Sequence, residues 1–278
     1  MNTGEIPPIL RSPVEARAIV EPREFVSYFM EHLGLDHIEV GQSCVLCYSH
    51  PLADLLVERT GARETRQWIF SDRQGRGLYN FQLDGKKVSL LRVEFGASSS
   101  GTMMEILIAC GARDFIAVGS AGTLQSEVEI GDLVVADKAV RDEGLSYHYL
   151  PPSGEVSAAS EVVAALTEAC RRNSIRHHVG ATWTTDALFR ETVEEVVKYR
   201  NARVLTVDME AAALYAIARH RKARCCCLFY VTDSLCELKW HPRFFEMGAR
   251  HLEASATVVL DALRLLDTGK AARSGLTH

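Results

Sequence analysis

The chain has 278 residues with 47% hydrophobic and 24% charged side chains, enough for one large domain or two small ones. The formal net charge of −5 is spread over interspersed acids and bases, without the basic stripe of a nucleic-acid binder. No apolar run approaches the 18 residues of a membrane span, and the first residues lack the basic-then-apolar order of a secretory signal, so a cytoplasmic protein with reduced thiols is expected.

In chain order, residues 1–20 hold three of the eight prolines and read as an arm, ahead of a domain over 21–266 and a loose tail over 267–278. Pro22 to Leu33 reads as a helix, with Pro at its start and Gly34 at its end. Cys44 to Tyr48 is a short strand leading through Ser49-His50-Pro51 into a helix, Leu52 to Arg59. Cys44 and Cys47 form a C-x-x-C without the second ligand pair that zinc needs, so both are read as buried thiols and no metal is expected. Trp68 to Phe81 is polar and broken by Gly75 and Gly77, with Arg73 and Arg76 beside them. Asp84-Gly85 predicts a hairpin between Leu78–Leu83 and Lys87–Glu94.

Gly96-Ala97-Ser98-Ser99-Ser100-Gly101 opens a helix running to Cys110, and exposed N–H groups at such a start suit an anion or a sugar hydroxyl. Phe115 to Val118 is a buried strand ending in Gly119-Ser120-Ala121-Gly122, and Leu133 to Ala139 is another. Ser160 to Arg172 is amphipathic with Ser160 as its expected cap, and His178 to Trp183 returns as a strand. Val204 to Val207 ends in Asp208-Met209-Glu210, followed by a helix of small residues from Ala211 and by the apolar run Cys225 to Val231, closed by Thr232-Asp233-Ser234. Phe244 to Leu266 reads as a long amphipathic helix, and the segment Cys236 to Phe245 ahead of it reads as a lid. Strands alternating with helices predict an α/β fold with helices packed on a mixed central sheet. In such sheets ligands bind beyond the carboxyl ends of strands, which places Glu210 and Asp233 at one pocket. A helix-dipole charge for Glu210 and a helix cap for Asp233 are the plainer readings of each residue alone.

Met209-Glu210-Ala211-Ala212-Ala213 followed by Val231-Thr232-Asp233-Ser234 resembles the nucleoside phosphorylase family, which holds purine nucleoside phosphorylase, uridine phosphorylase and related nucleosidases. Gly119-Ser120-Ala121-Gly122 and Thr185-Asp186-Ala187-Leu188-Phe189 follow the family order, so the resemblance covers about Cys44 to Leu263. It implies one α/β domain that cleaves the N-glycosidic bond of a ribonucleoside, with phosphate as co-substrate and no other cofactor. It also implies a homo-oligomer, a dimer or a hexamer, and no nucleic-acid or membrane partner.

By the same resemblance Glu210, Met209 and Phe95 hold the ribose. Leu188, Phe189 and Asp208 meet the base, and Gly119 and Ser120 meet phosphate together with Arg73 or Arg76, which in hexamers reaches a neighbour's site. Asp233 is the expected general acid, assisted by Arg243. Two departures stand out. The positions of the family's phosphate arginines are taken by Ala53 and Ala117. A phosphate dianion needs fixed positive charge or many donors, so phosphorolysis and hydrolysis by water both stay open, as does a non-catalytic nucleoside binder. The positions that read uracil in uridine phosphorylases correspond to Thr192 and Glu194, which favours a purine.

Overall fold

The computed structural model describes residues 8–11, 14, 16–70, 77–246 and 248–266. Helix α1 (Pro22–Leu33) begins at its proline and stops at Gly34, whose φ of 64° is left-handed. Strand β1 (Ser43–Cys47) runs into α2 (His50–Thr60), where the Ser49 side chain caps by accepting from the Leu52 N–H. A short β2 (Arg63–Glu64) edges the hairpin of β3 (Leu78–Leu83) and β4 (Lys86–Arg92). Asp84 and Gly85 both take positive φ there, as a two-residue hairpin turn that follows the strand twist requires.

Then come α3 (Ala97–Ala109), β5 (Asp114–Thr123), β6 (Leu133–Asp142), β7 (Glu155–Ser157), α4 (Ser160–Arg172) and β8 (His177–Thr185). The chain continues through α5 (Val193–Asn201), β9 (Thr206–Asp208), α6 (Ala211–Arg221), β10 (Arg224–Ser234), β11 (His241–Pro242) and α7 (Arg250–Leu265).

The sheet is mixed, as expected. Strand β1 lies between β4 and β5 and is parallel to both. Strand β10 is parallel to β5 and antiparallel to β6, while β8 is parallel to β6 and β9, and β9 returns antiparallel to β5. Strands β5, β10, β6, β8 and β9 therefore pair in a closed ring, which leaves no open edge beside the site. Successive β5 residues face opposite cores: Phe115 and Ala117 pack with α3 and α6, Ile116 and Val118 with α2, α4 and α7. One alternation explains the cysteines. Cys225 and Cys227 enter the first core and Cys226 the second. Cys44 and Cys47, three apart on a strand, likewise enter opposite cores, so the C-x-x-C cannot converge on a metal.

Some boundaries differ from the sequence reading. Gly119–Gly122 and Thr232–Ser234 lie within β5 and β10 rather than in loops: Gly119 to Ala121 pair with Phe229 to Val231, and Gly122 and Thr123 with Asp233 and Ser234. Ser160 is the first helical residue of α4, and Ala159 holds the cap position without a side-chain bond. The last helix starts at Arg250, not Phe244. The segment before it is drawn into antiparallel pairing of His241–Pro242 with Asp233–Ser234, and Gly248 takes a left-handed φ of 61° that breaks the helix.

Candidate active site

The carboxyl ends of β1, β5, β9 and β10 meet around a cavity of about 320 Å³. Its walls are Tyr48 after β1, Gly119 to Gly122 on β5, Val207 to Glu210 at the β9–α6 junction, and Thr232 and Asp233 on β10. Phe95, Leu188, Glu191, Trp240 and Phe244 close the rim.

Asp208 organises the floor. Its carboxylate accepts from Thr182 Oγ1 at 2.7 Å, Thr184 Oγ1 at 3.1 Å, and the backbone N–H groups of Glu210 and Ala211 at 2.7 Å each. The two amides are free donors of the first turn of α6, so Asp208 fixes that helix on the sheet. Burial pushes its carboxyl up despite these donors. Asp208 lines the cavity, and with four donors on its oxygens it holds that wall in place.

Glu210 follows one step on, at the start of α6. Its Oε1 accepts from the Gly96 N–H at 2.6 Å. Gly96 has a φ of 103°, open to glycine and hostile to other residues, and it carries Phe95 to the rim. Burial first, then the nearby Asp208 carboxylate, push Glu210 up to about 8. The group is therefore protonated in much of the free protein at neutral pH, rather than the standing charge the sequence suggests.

Asp233 is placed by an irregularity. The β5–β10 register shifts between Val231, opposite Ala121, and Asp233, opposite Gly122, so Thr232 is an extra residue. Such a bulge re-aims the following side chain. Thr232 Oγ1 donates to Asp233 Oδ1 at 2.9 Å, and the Trp240 indole N–H donates to Oδ2 at 3.0 Å. A Cβ on Gly122 would lie 2.9 Å from the same Oδ2, so only glycine leaves room for this carboxyl. Burial raises the Asp233 pKa against both donors.

Met209, Ser120, Gly119, Phe95 and Leu188 line the cavity, as the sequence places them. Two expected residues do not. Phe189 is 95% exposed and turns away from the cavity, because a short 3-10 turn separates its direction from that of Leu188. The Arg243 guanidinium pairs with Glu246 and lines a neighbouring cleft with Arg176 and Arg250; only its backbone N–H reaches the site strand, at Thr232 O. Trp240 takes the place beside Asp233 that was assigned to Arg243. Arg73 and Arg76 lie outside the described residues. Ala53 and Ala117 are buried in the cores. Thr192 caps α5 in a reciprocal capping box with Glu195, and His148 lines a cleft under the arm, away from the site.

Tyr48, Glu191 and Trp240 were not singled out by sequence. Glu191 is half-buried near Asp233, and burial followed by the Asp233 charge raises it to about 7. Among the described residues lining the cavity there is no Lys, Arg or His.

The family model described as the phosphorylase superfamily matches residues 44–264. The chain belongs to the phosphorylase superfamily. Within it, the chain is 35% identical over 164 residues to a uridine phosphorylase of Thermococcus kodakarensis, covering 52% of this chain and 58% of the relative. It is 32% identical over 151 residues to a guanosine phosphorylase of Halorubrum lacusprofundi, covering 53% and 61%. The matches thus span about three fifths of these superfamily relatives. A uridine phosphorylase structure from Vibrio fischeri superposes with a TM-score of 0.71 at 22% identity, over 81% of this chain and 93% of that one, and shares its fold.

Proposed function

We propose that the protein is a nucleoside phosphorylase acting on purine ribonucleosides. The observation that carries the reading is the convergence of Glu210 and Asp233, 23 positions apart, on one cavity at the strand ends, each with its oxygens held by specific donors. Glu210 accepts from the ribose hydroxyls, and the positive charge that develops on the sugar as the bond stretches favours its carboxylate form, its proton passing to solvent. Met209 and Phe95 pack against the ribose. A phosphate oxygen forms a bond to C1′ while the C1′–N9 bond breaks, and its electron pair passes into the purine. Asp233, whose carboxyl burial pushes up, delivers its proton to the departing ring. The products are the free base and ribose 1-phosphate.

A base bordered by two raised carboxyls, Glu191 and Asp233, meets groups that each donate through an O–H and accept through the other oxygen, which suits the mixed N–H and ring-nitrogen edge of a 6-oxopurine. Membership beside a relative named guanosine phosphorylase supports that class. Ser120 and the Gly119 backbone serve the phosphate end. Its positive charge comes from the segment holding Arg73 and Arg76, in this reading from a neighbouring copy within a homo-oligomer.

One observation favours a second reading. With no cation among the described cavity residues, water in place of phosphate gives a nucleosidase. Incubation with inosine, guanosine, adenosine and uridine, each with and without phosphate, separates the readings. Ribose 1-phosphate formed only with phosphate supports phosphorolysis; free ribose at the same rate without phosphate establishes hydrolysis.

A further inference from the structure

The segment after β10 folds back on its own strand. Pro242 and His241 pair with Asp233 and Ser234, Leu238 takes a left-handed φ of 59° in the turn, and the Arg243 N–H donates to Thr232 O. A short hairpin thus stands over the acid, and its side chain nearest the acid is Trp240. Its indole N–H meets Asp233 Oδ2 at 3.0 Å, while the residue stays 64% exposed. The Phe244 ring lies 6.3 Å away, tilted, on the same rim.

We propose that Trp240 is the positioning residue for Asp233 and the cover of the base: its indole N–H keeps Oδ2 an acceptor, so that Oδ1 carries the transferable proton, while its ring closes over the bound base with Phe244. This rests on the reading of Asp233 as the acid. The chemistry is asymmetric. An indole N–H only donates, so a proton on Oδ2 would forfeit that bond. The Thr232 hydroxyl donates or accepts, so it serves Oδ1 in either state. When the proton leaves Oδ1 for the base, the carboxylate that remains is held by both donors, without the charge of an arginine. The apolar ring, exposed in the empty site, gains burial when a base lies against it.

The charged groups facing Asp233 are few. Glu191 comes from the loop before α5, and Asp208 and Glu210 from the start of α6. On the hairpin itself His241 turns to Glu237 and Arg243 to Glu246, and β5 brings only Gly119 to Gly122. Trp240 is therefore, besides the adjacent Thr232 hydroxyl, the donor that acts on Asp233 directly.

The test compares wild type, Trp240→Phe and Trp240→Ala across pH, with inosine and phosphate. Trp240→Phe keeps the ring and loses the donor. KM is expected to hold within about twofold, kcat to fall about tenfold, and the alkaline limb of kcat to move to higher pH, since the carboxylate form of Asp233 loses a bond. Trp240→Ala is expected to raise KM as well. Trp240→Phe with wild-type kcat and limb, or a loss confined to KM, overturns the positioning role. A second readout needs no variant. Trp68 and Trp183 are buried, so acrylamide quenching of the wild-type fluorescence reports Trp240. Hypoxanthine is expected to protect it, and unchanged quenching at saturating base overturns the covering role. Failure of wild type to cleave any nucleoside counts against the proposed function instead, and the quenching readout still decides whether Trp240 covers a base.

Discussion

Replacing Glu210 by Gln isolates the electrostatic tension of the site. The folded chain holds the Glu210 proton up to about 8, against 4.5 for an ordinary glutamate. Unfolding therefore releases a proton at any pH between these values, and stability falls as pH rises through that window. The folded chain carries nearly one proton more than the unfolded one at pH 6 and about half a proton more at pH 8, which removes about 2 kcal/mol over this interval at 1.36 kcal/mol per pH unit. In a chain of this size that lowers Tm by about 5 °C. The glutamine amide oxygen still accepts from the Gly96 N–H, so Glu210→Gln keeps the contact and loses the titration. Calorimetry at pH 6, 7 and 8 is the assay. The wild-type Tm is expected to fall about 5 °C more than that of the variant. Parallel Tm curves would refute the claim that burial and Asp208 hold Glu210 protonated.

Asp208→Ala leaves the first amides of α6 and two buried threonine hydroxyls without their acceptor. It is expected to cost about 2–4 kcal/mol in urea unfolding, more than the loss of an ordinary cap; a loss below about 1 kcal/mol would contradict its role as the organiser of the floor. Gly122→Ala puts a Cβ 2.9 Å from Asp233 Oδ2, which the Trp240 indole holds while Thr232 holds Oδ1. Its kcat is expected to drop at least about tenfold, since a misplacement of an ångström at reacting groups is costly, and its stability to fall by about 1–3 kcal/mol because the Cβ also crowds the buried Leu235 and Val207; wild-type kcat would show that Asp233 need not stay where it is.

Where a local rule decides the structure, the sequence shows it. Pro22 and Gly34 bound the first helix, Asp84-Gly85 makes the hairpin, and the unbroken run from Cys225 forms a central strand. Glu210 and Asp233 are legible because strand ends and acidic corners coincide there. Pairing between distant segments hides the rest. The bulge at Thr232 depends on β5, and the early stop of the last helix depends on His241–Pro242 finding β10. Trp240 reaches Asp233 only through that hairpin, which no local pattern announces. Glu191 resembles any charge ahead of a helix until the fold sets it beside Asp233. A strand-end aspartate such as Asp208 signals a ligand or a cap equally well, and only its four donors separate the two.

The most direct test of the central claim is the product of guanosine or inosine cleavage with and without inorganic phosphate. Base and ribose 1-phosphate are expected in equal amounts, only when phosphate is present, and lost in Asp233→Ala. Free ribose released at an unchanged rate without phosphate, or no release of base from any nucleoside, would contradict it.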